Sequence, residues 1–175
     1  MKKAHILMII GGIIFILLGA FHTNLWFDEA YTVGLVKNSF SDIWKITGND
    51  VHPALYYWIL KTISLIFGNS IIVYRLFSAL AIVIMGILGY THIRKSFGDK
   101  VGFLFSFLAL FLPCMTTYAS EIRMYSWAML LVTITAIYAY KVSYQSSKKN
   151  WIIFAISSLC RCIYPLLCIN GSWVN

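Results

Sequence analysis

Long apolar runs constrain this chain more than any other feature. Five are long enough to weigh as membrane spans: Ile6–Phe21, Ile71–Ile93, Val101–Tyr118, Met124–Val142 and a weaker one starting at Trp151. A helix needs about 20 mostly apolar residues to cross the hydrocarbon of a bilayer. A sixth run, Pro53–Phe67, has fifteen residues and contains Lys61, so it is short for a span. The residues are 60% hydrophobic and 11% charged, which excludes a disordered chain, a collagen-like fibre and a disulfide-stapled secreted domain. A soluble domain of this composition would lack the polar surface to cover its core. The net charge of +8 is scattered at the ends of the apolar runs and forms no basic stripe, so nucleic acid is not an expected partner. The expected fold is all-α: a polytopic transmembrane helical protein of about five spans.

Charge distribution orients those spans. With Pro53–Phe67 in the interface and the N-terminus cytoplasmic, eight basic residues fall inside: Lys2, Lys3, Arg94, Lys95, Lys100, Lys141, Lys148 and Lys149. Asp28, Glu29, Asp42, Asp50 and Glu121 then fall outside, and Asp99 alone among the acids is inside. That is the distribution the positive-inside rule favours. Were Pro53–Phe67 to span, every later loop would flip. The preferred orientation makes residues 23–70 one external segment carrying interfacial helices between spans 1 and 2, rich in Trp and Tyr that suit the headgroup level. Ser41 is the expected N-cap of one such helix. A competing reading takes the first run as a cleaved signal peptide, with Lys2-Lys3 as its basic region and Leu18-Gly19-Ala20 as its small-residue end.

The external segments hold the candidate chemistry. Asp28-Glu29 sits among Trp26, Phe27 and Tyr31, where partial desolvation would raise a carboxyl pKa toward a useful general base. The alternative is a solvated helix start that favours negative charge. His52, before Pro53, stands at a helix start as a ligand or donor for a polar substrate, or as an ordinary interfacial histidine. Glu121 and Tyr125 are four apart and would share a helix face. Arg123 is either a phosphate ligand or the partner of Glu121 at a helix junction. Arg75, early in the second span, is expected to snorkel to headgroups or reach a lipid phosphate, as are Lys37, Lys45 and Lys61 to snorkel. No Walker A loop, GxGxxG, CxxC pair or HExxH occurs, so no nucleotide cofactor is expected.

Four motifs occur in order: Trp26-Phe27-Asp28-Glu29-Ala30-Tyr31, His52-Pro53-Ala54-Leu55-Tyr56-Tyr57, Arg75-Leu76-Phe77-Ser78-Ala79-Leu80 and Glu121-Ile122-Arg123-Met124-Tyr125-Ser126. Together they resemble the integral-membrane GT-C-type glycosyltransferases of the protein O-mannosyltransferase and aminoarabinose-transferase superfamily, closest to glycosyltransferase family 39 and its RgtA/B/C/D-like group. Ala54 stands where the family usually has a second proline. The resemblance implies a transferase in a bacterial plasma membrane, its site on the outer face. Its partners would be membrane lipid, a polyprenyl-phosphate-sugar donor and a glycan, lipid or protein acceptor. It implies Asp28 as catalytic base, supported by Glu29 and Glu121. It implies His52, Tyr56, Arg75, Arg123 and Tyr125 as substrate or phosphate contacts, and Glu121 with His52 as ligands should a divalent metal be used.

The resemblance covers residues 1–160, the expected N-terminal part of such a domain. Arg161 is expected to interrupt the fifth span, and Cys160, Cys162 and Cys168 fit no usual zinc pattern. The genetic code admits a reading of residues 161–175 one base forward as an apolar continuation of that span, with a Tyr-Thr-His-Tyr stretch typical of the family. Residues 161–175 are thus read as an aberrant, frameshifted tail, and the DNA after the Cys160 codon decides it. Beside the transferase stand two other readings: an inactive membrane fragment, and a small transport or lipid-binding protein. Against a transporter, the ionisable groups lie at the outer boundary and no repeat is seen.

Overall fold

The computed structural model describes residues 2–48 and 54–166, with side chains described to residue 160. Among the described residues every regular element is helical. In chain order they are α1 (Lys2–Gly19), α2 (Phe27–Val36), α3 (Phe40–Gly48), α4 (Ala54–Phe67), α5 (Ile71–Leu88), a π-helical turn (Gly89–Ile93), α6 (Arg94–Phe97), α7 (Asp99–Phe111), α8 (Pro113–Ser120), α9 (Tyr125–Tyr144) and α10 (Lys148–Leu166).

Three of these are long and apolar enough to cross a membrane: α1, the continuous rod Ile71–Phe97, and α9. The pair α7 and α8 passes the same test of length and composition only when taken together, with a bend of 53° between the two helices. The protein is therefore a polytopic helical membrane protein. The bend has a local cause. Leu112 precedes Pro113, whose ring excludes the helical conformation from its neighbour, and Leu112 adopts φ −66° and ψ 131°. Pro113 then serves as the first residue of α8. Helix α4 has 14 residues, about 21 Å, well under the hydrocarbon thickness. It packs on α2, α3 and α5.

One sequence expectation needs correction here. The cap of α3 is Ser39, not Ser41: its Oγ accepts from the Asp42 N–H at 3.1 Å and donates to the Asp42 carboxylate at 2.6 Å. Ser39 prevails because Phe40 already belongs to the helix, leaving Ser41 inside the first turn. The α10 backbone is helical from Lys148 through Leu166 and lies back along α9, so Arg161 leaves the helix intact, yet α10 is not among the helices apolar enough to cross a membrane. Arginine is a good helix former, and its charge opposes membrane insertion rather than helix geometry.

The membrane core gathers Ile9 and Ile16 of α1, Ile82 and Met85 of α5, and Leu110 of α7. Lipid offers no hydrophobic drive between helices, so close approach through small residues holds them. A Cβ on Gly86 would lie 2.8 Å from Leu110 Cγ, so Leu110 fills the space glycine leaves. A Cβ on Gly102 would lie 2.7 Å from both the Gly89 carbonyl oxygen and Arg94 Cα, which locks α7 against the π turn. Inside this seam Ser106 donates to the Gly86 carbonyl at 2.7 Å. His5 Nε2–H then donates to Ser106 Oγ at 2.8 Å, tying α1 to α5 and α7. A second core of Leu35, Val36, Ile43, Tyr56, Tyr57, Leu60, Tyr74 and Ile122 joins α2, α3 and α4 to the ends of the long helices. The candidate site rests on this second core.

Candidate functional site

Where α1 ends, α2 and α5 begin and α8 gives way to α9, four segments converge on Arg75. Its side chain is 1% exposed although it stands in the first turns of an apolar helix. One terminal nitrogen donates to the Glu29 carboxylate at 3.0 Å and the Asn24 carbonyl at 2.6 Å. The other donates to the Ser120 carbonyl at 2.9 Å and contacts the His22 ring at Nε2. His22 Nδ1 lies 2.7 Å from the Gly19 carbonyl, so Nδ1 carries the proton and Nε2 accepts from Arg75. Arg75 thus does not snorkel to headgroups. A buried carboxylate and three other acceptors hold it inside, and solvation at the surface offers no better set.

Glu29 completes the clamp. As the third residue of α2 it reaches back to the Trp26 N–H at 3.4 Å, a stabilising arrangement at a helix start. Its other oxygen accepts from the buried Ile122 N–H at 2.9 Å. Glu29 is 3% exposed, and both of its oxygens are engaged. It positions the turn after α8 and is not available as a base.

Asp28, its neighbour, faces the other way. Its side chain is 37% exposed, and one oxygen lies 3.6 Å from an Arg123 terminal nitrogen. Arg123 is itself buried, with its guanidinium 5.8 Å from the Tyr125 ring centre. Residues 121–124 interrupt the helices, with the Arg123 N–H bonded to the Glu121 carbonyl at 2.9 Å. The expected shared helix face of Glu121 and Tyr125 therefore does not exist, because α9 starts only at Tyr125. What joins the two helices there is the Tyr118–Tyr125 ring contact at 5.4 Å.

Glu121 is half-buried in this turn. Burial pushes its carboxyl above the usual glutamate range, and the nearby charges of Glu29 and Asp28 push the same way. Arg123 and a hydrogen bond with the Trp26 indole act in opposition. Among the described residues no three His, Cys, Asp or Glu side chains converge as metal ligands. His52 lies outside the described residues. Tyr56 is wholly buried in the second core, with its ring 5.4 Å from that of Tyr57. Lys61 turns to the Val36 carbonyl at 3.3 Å, near the C-terminal end of α2.

A cavity of about 290 Å³ opens among His22, Trp26, Glu29, Arg75, Thr117, Ser120 and Glu121. A second, of about 420 Å³, runs between α1 and α8 past Phe15, Ile16, Leu18 and Gly19, and shares Thr117 and Ser120 with the first. A polar chamber thus adjoins a largely apolar groove. The family of dolichyl-phosphate-mannose-protein mannosyltransferases matches residues 51–159. The chain belongs to this family. Neither a curated relative nor a solved structure matches it. The protein is accordingly a membrane glycosyltransferase of the GT-C type, and Arg75, Glu121, Arg123 and Tyr125 lie inside the matched family region. Asp28 and Glu29 lie before it and reach the same corner only through the fold.

Sequence reasoning missed His22, Asn24 and Ser120. His22 had a usable signal, an ionisable side chain just past the first apolar run and six residues before Asp28. Asn24 and Ser120 act through backbone carbonyls, which no residue type announces.

Proposed function

We propose that this glycosyltransferase moves a sugar from a polyprenyl-phosphate donor to an acceptor hydroxyl on the outer face of the membrane, with Asp28 as the base. The observation that carries the reading is the split between the two adjacent carboxylates. Glu29 is spent on Arg75 and the Ile122 N–H, while Asp28 is only half-buried and lies beside a buried arginine. In the reaction, Asp28 takes the proton from the acceptor hydroxyl as that oxygen attacks the anomeric carbon. The bond between that carbon and the phosphate oxygen breaks with inversion, and the phosphate leaves with the electron pair. Arg123, buried and 3.6 Å from Asp28, stabilises the charge that develops on the phosphate in this reading, since a preorganised cation is most effective there. The groove between α1 and α8 gives an isoprenoid tail a path from the bilayer to the polar chamber. A divalent metal, if bound through Glu121 and His52, would add positive charge near the leaving phosphate.

The test uses the full chain in proteoliposomes supplied with a polyprenyl-phosphate sugar, with sugar transfer or release as the readout. Asp28→Asn is expected to lower turnover by about 10²–10⁴-fold, the usual worth of a positioned base, with thermal stability retained. Unchanged turnover would remove Asp28 from the chemistry.

A further inference from the structure

We propose that the end of the molecule opposite the Asp28 corner binds the phosphate of an anionic lipid, held by Lys95, Lys141 and Lys149 around the Tyr138–His92 pair. These three lysines come from three helices, α6, α9 and α10. The ring contact of Phe97 with Tyr140, at 4.6 Å, joins α6 to α9 there. Lys141 Nζ lies 4.8 Å above the Tyr138 ring centre. The His92 ring on the π turn lies 5.9 Å from the same ring, with Nε2 3.5 Å from the Tyr138 hydroxyl. Thr91 donates to the Ile87 carbonyl, so His92 Nδ1–H donates to Thr91 Oγ1 at 2.9 Å. His92 Nε2 is then an acceptor, and Tyr138 donates to it. The pair is ordered from both sides.

The charges around this pair are uncompensated. Helix α10 packs back along α9, and the Asn150 side chain donates to the Gln145 carbonyl at 2.9 Å, so Lys149 opens α10 beside the end of α9 that carries Lys141. The acid at this end is Asp99, and it is paired with Arg94 at 3.5 Å. Among the described residues no salt bridge reaches Lys95, Lys141 or Lys149. A generic excess of cations on one membrane side needs only scattered charges. Here the three helices that carry the lysines meet at one corner, the arrangement that takes a lipid headgroup. Exposed Phe97 and Tyr144 flank the cluster and suit the headgroup level of a bilayer, which favours a lipid over a soluble anion. Three ammonium groups, each with three rotatable donors, fit the oxygens of one phosphate.

The experiment titrates the purified full chain in detergent micelles with phosphatidylglycerol or phosphatidylcholine of matched acyl chains, and counts bound lipid by native mass spectrometry. Phosphatidylglycerol is expected to bind more tightly. Lys95→Gln, Lys141→Gln and Lys149→Gln should each weaken it about fivefold, while Lys141→Arg retains binding. Lys100→Gln, at the same end but outside the cluster, should leave it unchanged. Should Lys141→Gln fail to fold, exposed Lys95 and Lys149 carry the test alone. Equal binding of the two lipids, or wild-type affinity in the Lys95→Gln/Lys149→Gln double variant, overturns the proposal. Inorganic phosphate occupying the site with the affinity of the lipid would overturn the lipid assignment.

Discussion

Neutralising Glu29 while keeping its shape isolates the clamp that organises the site. Glu29→Gln retains an acceptor for the Ile122 N–H but removes the charge opposite Arg75. The pair is 3.0 Å apart with side chains 1% and 3% exposed, so solvent cannot take over the role of the lost carboxylate. Breaking one side of such a pair typically costs about 3–5 kcal/mol, because the surviving charge stays buried without compensation. Arg75→Met should cost a similar amount. The double variant Glu29→Gln/Arg75→Met removes both charges and should cost far less than the two singles together, with a coupling of about 3 kcal/mol. The assay is equilibrium unfolding in mixed micelles titrated with a denaturing detergent and followed by tryptophan fluorescence. Additive single costs, or a loss under about 1 kcal/mol in Glu29→Gln, would refute the reasoning, since a solvent-screened pair behaves in that way. The clamp has a functional corollary. Glu29 anchors the turn that carries Glu121 and Arg123, so its loss should lower turnover even though Asp28 is untouched.

Further outcomes follow from the same geometry. The carboxyl of Glu121 is raised in the folded state, so the folded protein binds its proton more tightly than the unfolded chain does. That contribution to stability is complete below the ordinary value of 4.5 and is lost as pH climbs through the raised value. Glu121→Gln should therefore flatten the fall in stability over that window and stabilise the protein at neutral pH, as thermal melts across pH will show. Gly102→Ala places a methyl 2.7 Å from two backbone atoms that cannot rotate away, one in the π turn and one at the start of α6, and should cost about 1–3 kcal/mol or more in the same unfolding assay.

Much of the architecture was legible because membranes impose a simple rule. Backbone polar groups in hydrocarbon must pair within the segment, so an apolar run such as Ile71–Ile93 has little choice but a helix. Finer features were legible only where a local rule acts. Pro113 interrupts a helix by its own ring, a local signal inside the third run although that run reads as one apolar span. The cap of α3 was misplaced by two residues because Ser39 and Ser41 are chemically alike and only the start of the helix selects between them.

Residue type and order alone determined that this is a helical membrane protein of the mannosyltransferase family, with acids gathered at one end of the spans and most of its lysines at the other. They could not say which of two adjacent carboxylates is buried against an arginine and which keeps contact with solvent. That depended on Arg75, 46 residues away, and on the Ile122 amide, 93 residues away. A charge forced into a low-dielectric interior must find a partner wherever the fold supplies one, and chain order does not encode that meeting. Once Glu29 had met Arg75, Asp28 remained half-buried beside Arg123, and the corner acquired its asymmetry.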